Sequence, residues 1–174
     1  MTSLKTLAAA AALGAFAAPA AFADAHMQPA ATAEVANADG TAMGTVTINA
    51  TASGQMLVQL DLTGVAPGTH AVHIHETGAC EAPDFDSAGG HLAGDMEHGV
   101  GSENGAHPGD MPNVTVGEDG IVKADIFLTA LTAEMLNDDD GSAFVMHDGT
   151  DDYMSQPSGD AGSRIACGVF EPAS

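Results

Sequence analysis

The chain has 174 residues, 45% of them hydrophobic and 16% charged, which suits one globular domain and leaves little room for two. Its charge is one-sided, with 24 Asp and Glu against 3 Lys and Arg and a formal net charge of −21 at pH 7. Nucleic acid and anionic membrane surfaces are excluded as partners, because both demand clustered basic side chains that displace counterions.

At the start of the chain, Lys5 precedes an Ala-rich apolar run through Phe16, and Ala21-Phe22-Ala23 follows. A positive head, a short apolar stretch and an Ala-x-Ala site predict a secretory signal peptide over residues 1–23, cleaved after Ala23. A membrane anchor is the weaker alternative, since Pro19 breaks the run and a spanning helix needs about 20 apolar residues. Cleavage removes Lys5 and leaves Lys123 and Arg164 as the basic side chains. The exported chain then begins Asp24-Ala25-His26, and a terminal amine, two amides and an imidazole suit the square-planar preference of Cu(II) or Ni(II). An untethered tail of accidental composition is the alternative. Residues 24–36 are expected to be a flexible lead-in, with strand character from Thr32, and residues 37–174 to form one domain. In an exporting compartment Cys80 and Cys167 read as a disulfide, two buried free thiols being the other option.

Along the rest of the chain, clusters of Gly, Pro, Asn and Asp punctuate β-rich segments about every ten residues. The predicted strands are Thr32–Ala36, Ala42–Ala50, Gln55–Leu62, His70–Glu76, Asn113–Val116, Ile121–Leu128, Ala143–His147 and Arg164–Phe170. Eight short strands without helical patterns between them predict an all-β fold, an antiparallel sandwich or barrel. Leu131–Leu136 reads as a single helical turn. Two stretches, Thr77–Met111 and Asp148–Ser163, are long, polar and Gly-rich, and loops of that length in a compact domain point to function.

The chemistry starts at His70-Ala71-Val72-His73-Ile74-His75-Glu76. On a strand, His73 and His75 project from one face and form a metal clamp, while Val72 and Ile74 pack on the other. His70 points with Val72 and is assigned a structural role. Downstream, His91, His98, His107 and Asp110 suffice to close a four-coordinate site of the kind zinc accepts. His147, at a strand end, supplies a further imidazole. Together these residues indicate one zinc site and one imidazole-rich site.

These segments, with Gly78 and Cys80, Ser87-Ala88-Gly89-Gly90-His91, His98-Gly99, the run His107-Pro108-Gly109-Asp110-Met111-Pro112-Asn113, Asp151-Asp152-Tyr153 and the stretch Gln156 to Val169, resemble the copper,zinc superoxide dismutases. The resemblance spans roughly Ala38 to Phe170 and implies an eight-stranded antiparallel Greek-key barrel with a metal loop and an electrostatic loop. It implies copper at His73, His75, His91 and His147, and zinc at His91, His98, His107 and Asp110, with His91 bridging the metals and carrying a proton. It further implies that Asp151 orients His73 and His98, that Cys80 pairs with Cys167, and that Arg164 guides the superoxide anion. The implied reaction is dismutation of superoxide to oxygen and hydrogen peroxide by Cu(II)/Cu(I) cycling, in the periplasm. A non-catalytic copper-binding or copper-buffering protein on the same fold is the alternative. Self-association into a homodimer stays open.

The chain departs from the family pattern at Ala71-Val72, usually Gly-Phe, and at Leu92-Ala93-Gly94, which lacks the usual Asn-Pro or Asp-Pro. The loop Asp148–Ser163 contains no lysine. Anion capture would then rest on Arg164 and the metals.

Overall fold

The structure, a computed structural model, describes residues 27–173. The predicted signal peptide and the Asp24-Ala25-His26 motif lie outside the described residues.

Alternation of apolar and polar side chains gives each early strand one inward face. Strand β1 (Gln28–Asn37) turns Ala31, Ala33 and Val35 inward, β2 (Ala42–Ala50) turns Val46 and Ile48 inward, and β3 (Met56–Leu62) turns in Val58, Leu60 and Leu62. The lead-in expected to be flexible over 24–36 is therefore sheet from residue 28 onward. Its Ala31 and Ala33 are fully buried between the neighbouring strands, and that burial outweighs the low β-propensity of alanine.

The predicted strand His70–Glu76 is two strands, which raises the described count from eight to nine. Strand β4 is Gly68–His70 and β5 is Val72–His75. At Ala71, between them, the backbone bonds Gly149 and His147 instead of continuing one ladder. Strands β6 (Val114–Val116), β7 (Val122–Leu128), β8 (Ala143–His147) and β9 (Arg164–Pro172) complete the set. A single turn, α1 (Ala133–Leu136), is capped by Thr132, whose hydroxyl accepts from the Met135 N–H.

Seven strands bond in the order β5-β8-β9-β1-β2-β3-β7, β4 pairs with β6, and every pairing is antiparallel. Val35, Val46, Ile48, Leu62, Ile74 and Phe144 belong to one apolar core. Strand β8 is buried on both faces: Phe144 and Met146 enter that core, while Ala143 and Val145 pack under a loop with Phe85, Ala88 and Cys167. This double burial accounts for its unbroken apolar run. Cys80 and Cys167 form a disulfide across 87 positions, tying that loop to β9. By loop-entropy reasoning a closure of this length contributes about 4 to 5 kcal/mol at most.

Strand β5 ends the seven-strand order, and its free edge is covered by loop backbone, which removes an exposed ladder. Leu92 N–H donates to Ile74 O at 2.8 Å, Ile74 N–H to Gly109 O at 2.9 Å and Glu76 N–H to Gly90 O at 3.0 Å. Gly109 sits so close to Ile74 O that any Cβ there would clash with the carbonyl. The loop carrying His91, His107 and Asp110 is thereby fastened beside the strand carrying His73 and His75.

Candidate metal centre

As strand alternation requires, Val72 and Ile74 enter the core while His73 and His75 project to the opposite face, where the loops bury them. His147 reaches the same space from β8, whose Val145 is paired with His73. His91 arrives on the covering loop, its backbone bridged to His75. One ring nitrogen from each of these four residues falls in a single group with all separations within 4.8 Å.

Each ring is held by its other nitrogen. His73 Nε2–H donates to Asp151 Oδ2 at 2.8 Å, His75 Nδ1–H to Gly89 O at 3.1 Å, and His147 Nδ1–H to Gly162 O at 3.3 Å. These bonds select the tautomer whose remaining nitrogen is a lone pair. His73 Nδ1, His75 Nε2, His91 Nε2 and His147 Nε2 are the buried side-chain atoms left without a hydrogen-bond partner among the described residues. Four unsatisfied acceptors aimed at one point are costly unless an electrophile occupies it. The residues fit a metal that favours nitrogen donors, as copper does.

The second cluster converges on Asp110. Its Oδ1 lies 3.0 Å from His91 Nδ1 and 3.2 Å from both His98 Nδ1 and His107 Nδ1. A tetrahedron of ligands about 2.0 Å from a zinc ion has edges of about 3.3 Å, so these spacings suit a shared metal as well as hydrogen bonds. His73 also approaches this group, but its Nε2 is committed to Asp151 and its Nδ1 faces the first set. His107 Nδ1 lies beside the same Asp110 oxygen. His91 is common to both clusters, with Nε2 facing one and Nδ1 the other.

Burial favours the neutral form of His73, His75, His107 and His147. It lowers the pKa of His73 from 6.5 to about 4, opposed by the hydrogen bond to Asp151, and that of His75 to about 2, with His91 adding repulsion. His147 falls to about 3 by burial and the nearby His73, and His107 is lowered as well. Burial pushes the Asp110 carboxyl up, but hydrogen bonds from His91 and the Gly99 N–H, with His107 and His98 beside it, hold it well below the usual range. The same balance, with bonds from His73 and His98, keeps Asp151 ionised. Neutral imidazoles and ionised carboxylates are the forms that bind metal.

Arg164, at the start of β9, donates from Nη1 to Phe85 O and from Nη2 to Gly89 O, both at 2.7 Å. Gly89 O is also the acceptor for His75, so the guanidinium and that imidazole share one carbonyl. His70 is placed apart from both clusters by its two nitrogens, which lie 2.8 Å from His147 O and 2.9 Å from Ala66 O. His73, His75, His91, His98, His107, Asp110, His147, Asp151 and Arg164 are thus linked in one region, Cys80 and Cys167 form the disulfide beside it, and Asp24, Ala25 and His26 are outside the described residues.

The family model for copper/zinc superoxide dismutase (SODC) matches residues 42–170. The chain belongs to the copper/zinc superoxide dismutase family. It is 42% identical over 149 residues to a superoxide dismutase [Cu-Zn] of Caulobacter vibrioides, covering 81% of this chain and 85% of that one. It is 38% identical over 146 residues to a superoxide dismutase-like protein of Bacillus subtilis, covering 79% and 74%. Among solved structures, a superoxide dismutase-like protein from Bacillus subtilis superposes with a TM-score of 0.76 at 34% identity, over 82% of this chain and 99% of the other. A Cu/Zn superoxide dismutase from Brucella abortus gives 0.67 at 30% identity, over 80% and 98%. The cofactors of copper/zinc superoxide dismutases are copper and zinc, which accords with the donor sets of the two clusters.

Several supporting residues carried no role in the sequence reading. Asn113 clasps Asp151 through both backbone groups, accepting its N–H and donating to its carbonyl at 2.9 Å each. Tyr153 N–H donates to Asp151 Oδ1 at 2.6 Å. Gln156 pins His98 by its N–H and carbonyl, again at 2.9 Å. The Asn113 and Gln156 contacts cross 38 and 58 positions, and no local pattern reports them.

Proposed function

We propose that this protein is a superoxide dismutase, converting two superoxide ions and two protons to oxygen and hydrogen peroxide. In this reading His73, His75, His91 and His147 hold copper, and His91, His98, His107 and Asp110 hold zinc. The observation that carries it is the set of four buried nitrogens without hydrogen-bond partners, one of them on a ring whose other nitrogen faces Asp110. When bound, copper supplies one-electron exchange by cycling between Cu(II) and Cu(I), and zinc, which has no redox chemistry, organises the loop. Asp151 fixes the rings of His73 and His98. His91 Nε2 is the atom to hold and release a proton, because its ring is tied to neither a carbonyl nor Asp151. Arg164 offers a planar, permanently charged group for a small anion.

Export through cleavage after Ala23 into the periplasm belongs to the same reading, with residues 37–174 as the catalytic domain. The Cys80–Cys167 disulfide supports it, since such bonds persist in oxidising compartments. The test is metal analysis with a superoxide-decay assay on the wild type and on His147→Ala. Catalysis that disappears with His147 is expected. Full copper and zinc loading without dismutation overturns this reading in favour of a copper-buffering protein.

A further inference from the structure

We propose that Asp84 and Asp86 are an electrostatic brake on anion entry beside Arg164, setting the affinity and rate with which a small anion reaches the imidazole cluster. The substrate named here rests on the dismutase reading, but the brake acts on any small anion.

A cleft of about 290 Å³ is lined by Asp84, Asp86, Gly162, Ser163 and Arg164. It lies one hydrogen bond from His147 and two from His75. The carbonyl of Gly162 accepts from His147 Nδ1, and Arg164 shares the Gly89 carbonyl with His75. An anion in this cleft meets one guanidinium and two carboxylates, so its formal charge is negative where an anion-guiding cleft would be positive. No other cation compensates among the described residues, because Lys123 is paired with Asp61 at 2.7 Å on β7 and β3.

The two carboxylates are exposed, and neither accepts a hydrogen bond from a described residue. Asp148, close to the same cleft, differs: its Oδ1 accepts the Ser163 N–H at 2.7 Å and so shapes the backbone. Asp84 and Asp86 have no such structural task. Their backbone is nevertheless anchored, because Phe85 between them is buried, its carbonyl is held by Arg164, and the disulfide ties down the loop. Both charges therefore stay at the rim of the cleft, where their field acts on every approaching ion.

The test uses the copper- and zinc-loaded protein and azide as the probe, its dissociation constant read from the Cu(II) absorbance. Asp84→Asn with Asp86→Asn should tighten azide binding roughly three- to fivefold at about 10 mM ionic strength, the size expected for two unit charges about 10 Å away in water. The gain should vanish near 0.5 M salt, where the screening length falls to a few ångströms. A control pair with the same charge change, Asp119→Asn with Asp125→Asn, should leave the constant nearly unmoved. An unchanged azide constant in the Asp84/Asp86 variant at low salt, or an equal gain in the control pair, overturns the proposal. Azide is not turned over, so this outcome is separate from failure of the dismutase reading, which appears only as absent superoxide decay.

Discussion

His73 and His98 hydrogen-bond the two oxygens of one buried carboxylate: His73 Nε2 donates to Asp151 Oδ2 at 2.8 Å and His98 Nε2 to Oδ1 at 2.9 Å. One ring belongs to the proposed copper set and the other to the proposed zinc set. A displacement at either site is therefore felt at the other through a group that touches neither ion.

Replacing Asp151 by Asn should uncouple them. An amide keeps one oxygen acceptor and puts an NH2 donor group in place of the second oxygen, so one of the two imidazole N–H groups would face another donor. Loss of such an outer partner costs about 10- to 100-fold in metal affinity. Chelator competition should show both metals weakened in Asp151→Asn with the strand spectrum intact; unchanged affinities would mean that the carboxylate does not orient the rings.

Gly159 is the less obvious route to the same defect. Its φ of +72° is in the region that favours glycine, and a Cβ there would run into Asp151 Oδ1 and His98 Nε2. Gly159→Ala should lower stability by about 1 to 3 kcal/mol and reproduce the metal loss of Asp151→Asn. Thermal unfolding with and without added metal measures both, and a metal-loaded variant of wild-type stability would refute the collision.

What could be read from the sequence divides by range. The clamp of His73 and His75 followed from strand alternation alone, and β2, β3, β7 and β8 followed from their apolar patterns. The break at Ala71 did not, because it arises from pairing with Gly149 and His147, residues more than seventy positions away. The early start of β1 was hidden by Pro29, Ala30 and Ala31, weak strand formers that gain order from the strands on either side. Gln156 and Asn113 serve the site through distant backbone contacts and Gly159 through the close approach of Asp151 and His98 side chains, so their roles are not legible in local sequence.

Acidification should destabilise the metal-free protein well above the usual carboxylate range. His73, His75 and His147 have folded pKa values of about 4, 2 and 3 against 6.5 when unfolded. Below 6.5 the unfolded chain binds protons that the folded one refuses, so stability is full above that pH and declines as pH falls toward the folded values. Each group contributes at most about 1.4 kcal/mol per pH unit. Asp110 and Asp151, held ionised by their histidine partners, extend the loss to lower pH. The urea midpoint of the apoprotein should drop steeply between about pH 6 and 4. A flat midpoint over that range would contradict neutral buried imidazoles.

Arg164 has to attract an anion against a strongly acidic chain. With a formal charge of −21 for the whole chain, the overall field opposes an anion, and attraction has to be local to the guanidinium and the metals. Arg164→Lys keeps the charge but cannot span the carbonyls of Phe85 and Gly89, so the cation should wander and activity should fall several-fold with metal content unchanged. Arg164→Glu should cost on the order of tenfold or more, the range seen when steering is reversed. Salt screens the long-range repulsion together with the local attraction, so wild-type superoxide decay should stay flat or rise up to about 0.15 M salt. A steep fall with salt would mean that the field at the cleft is positive despite the acidic surface, and the brake assigned to Asp84 and Asp86 would fall with it.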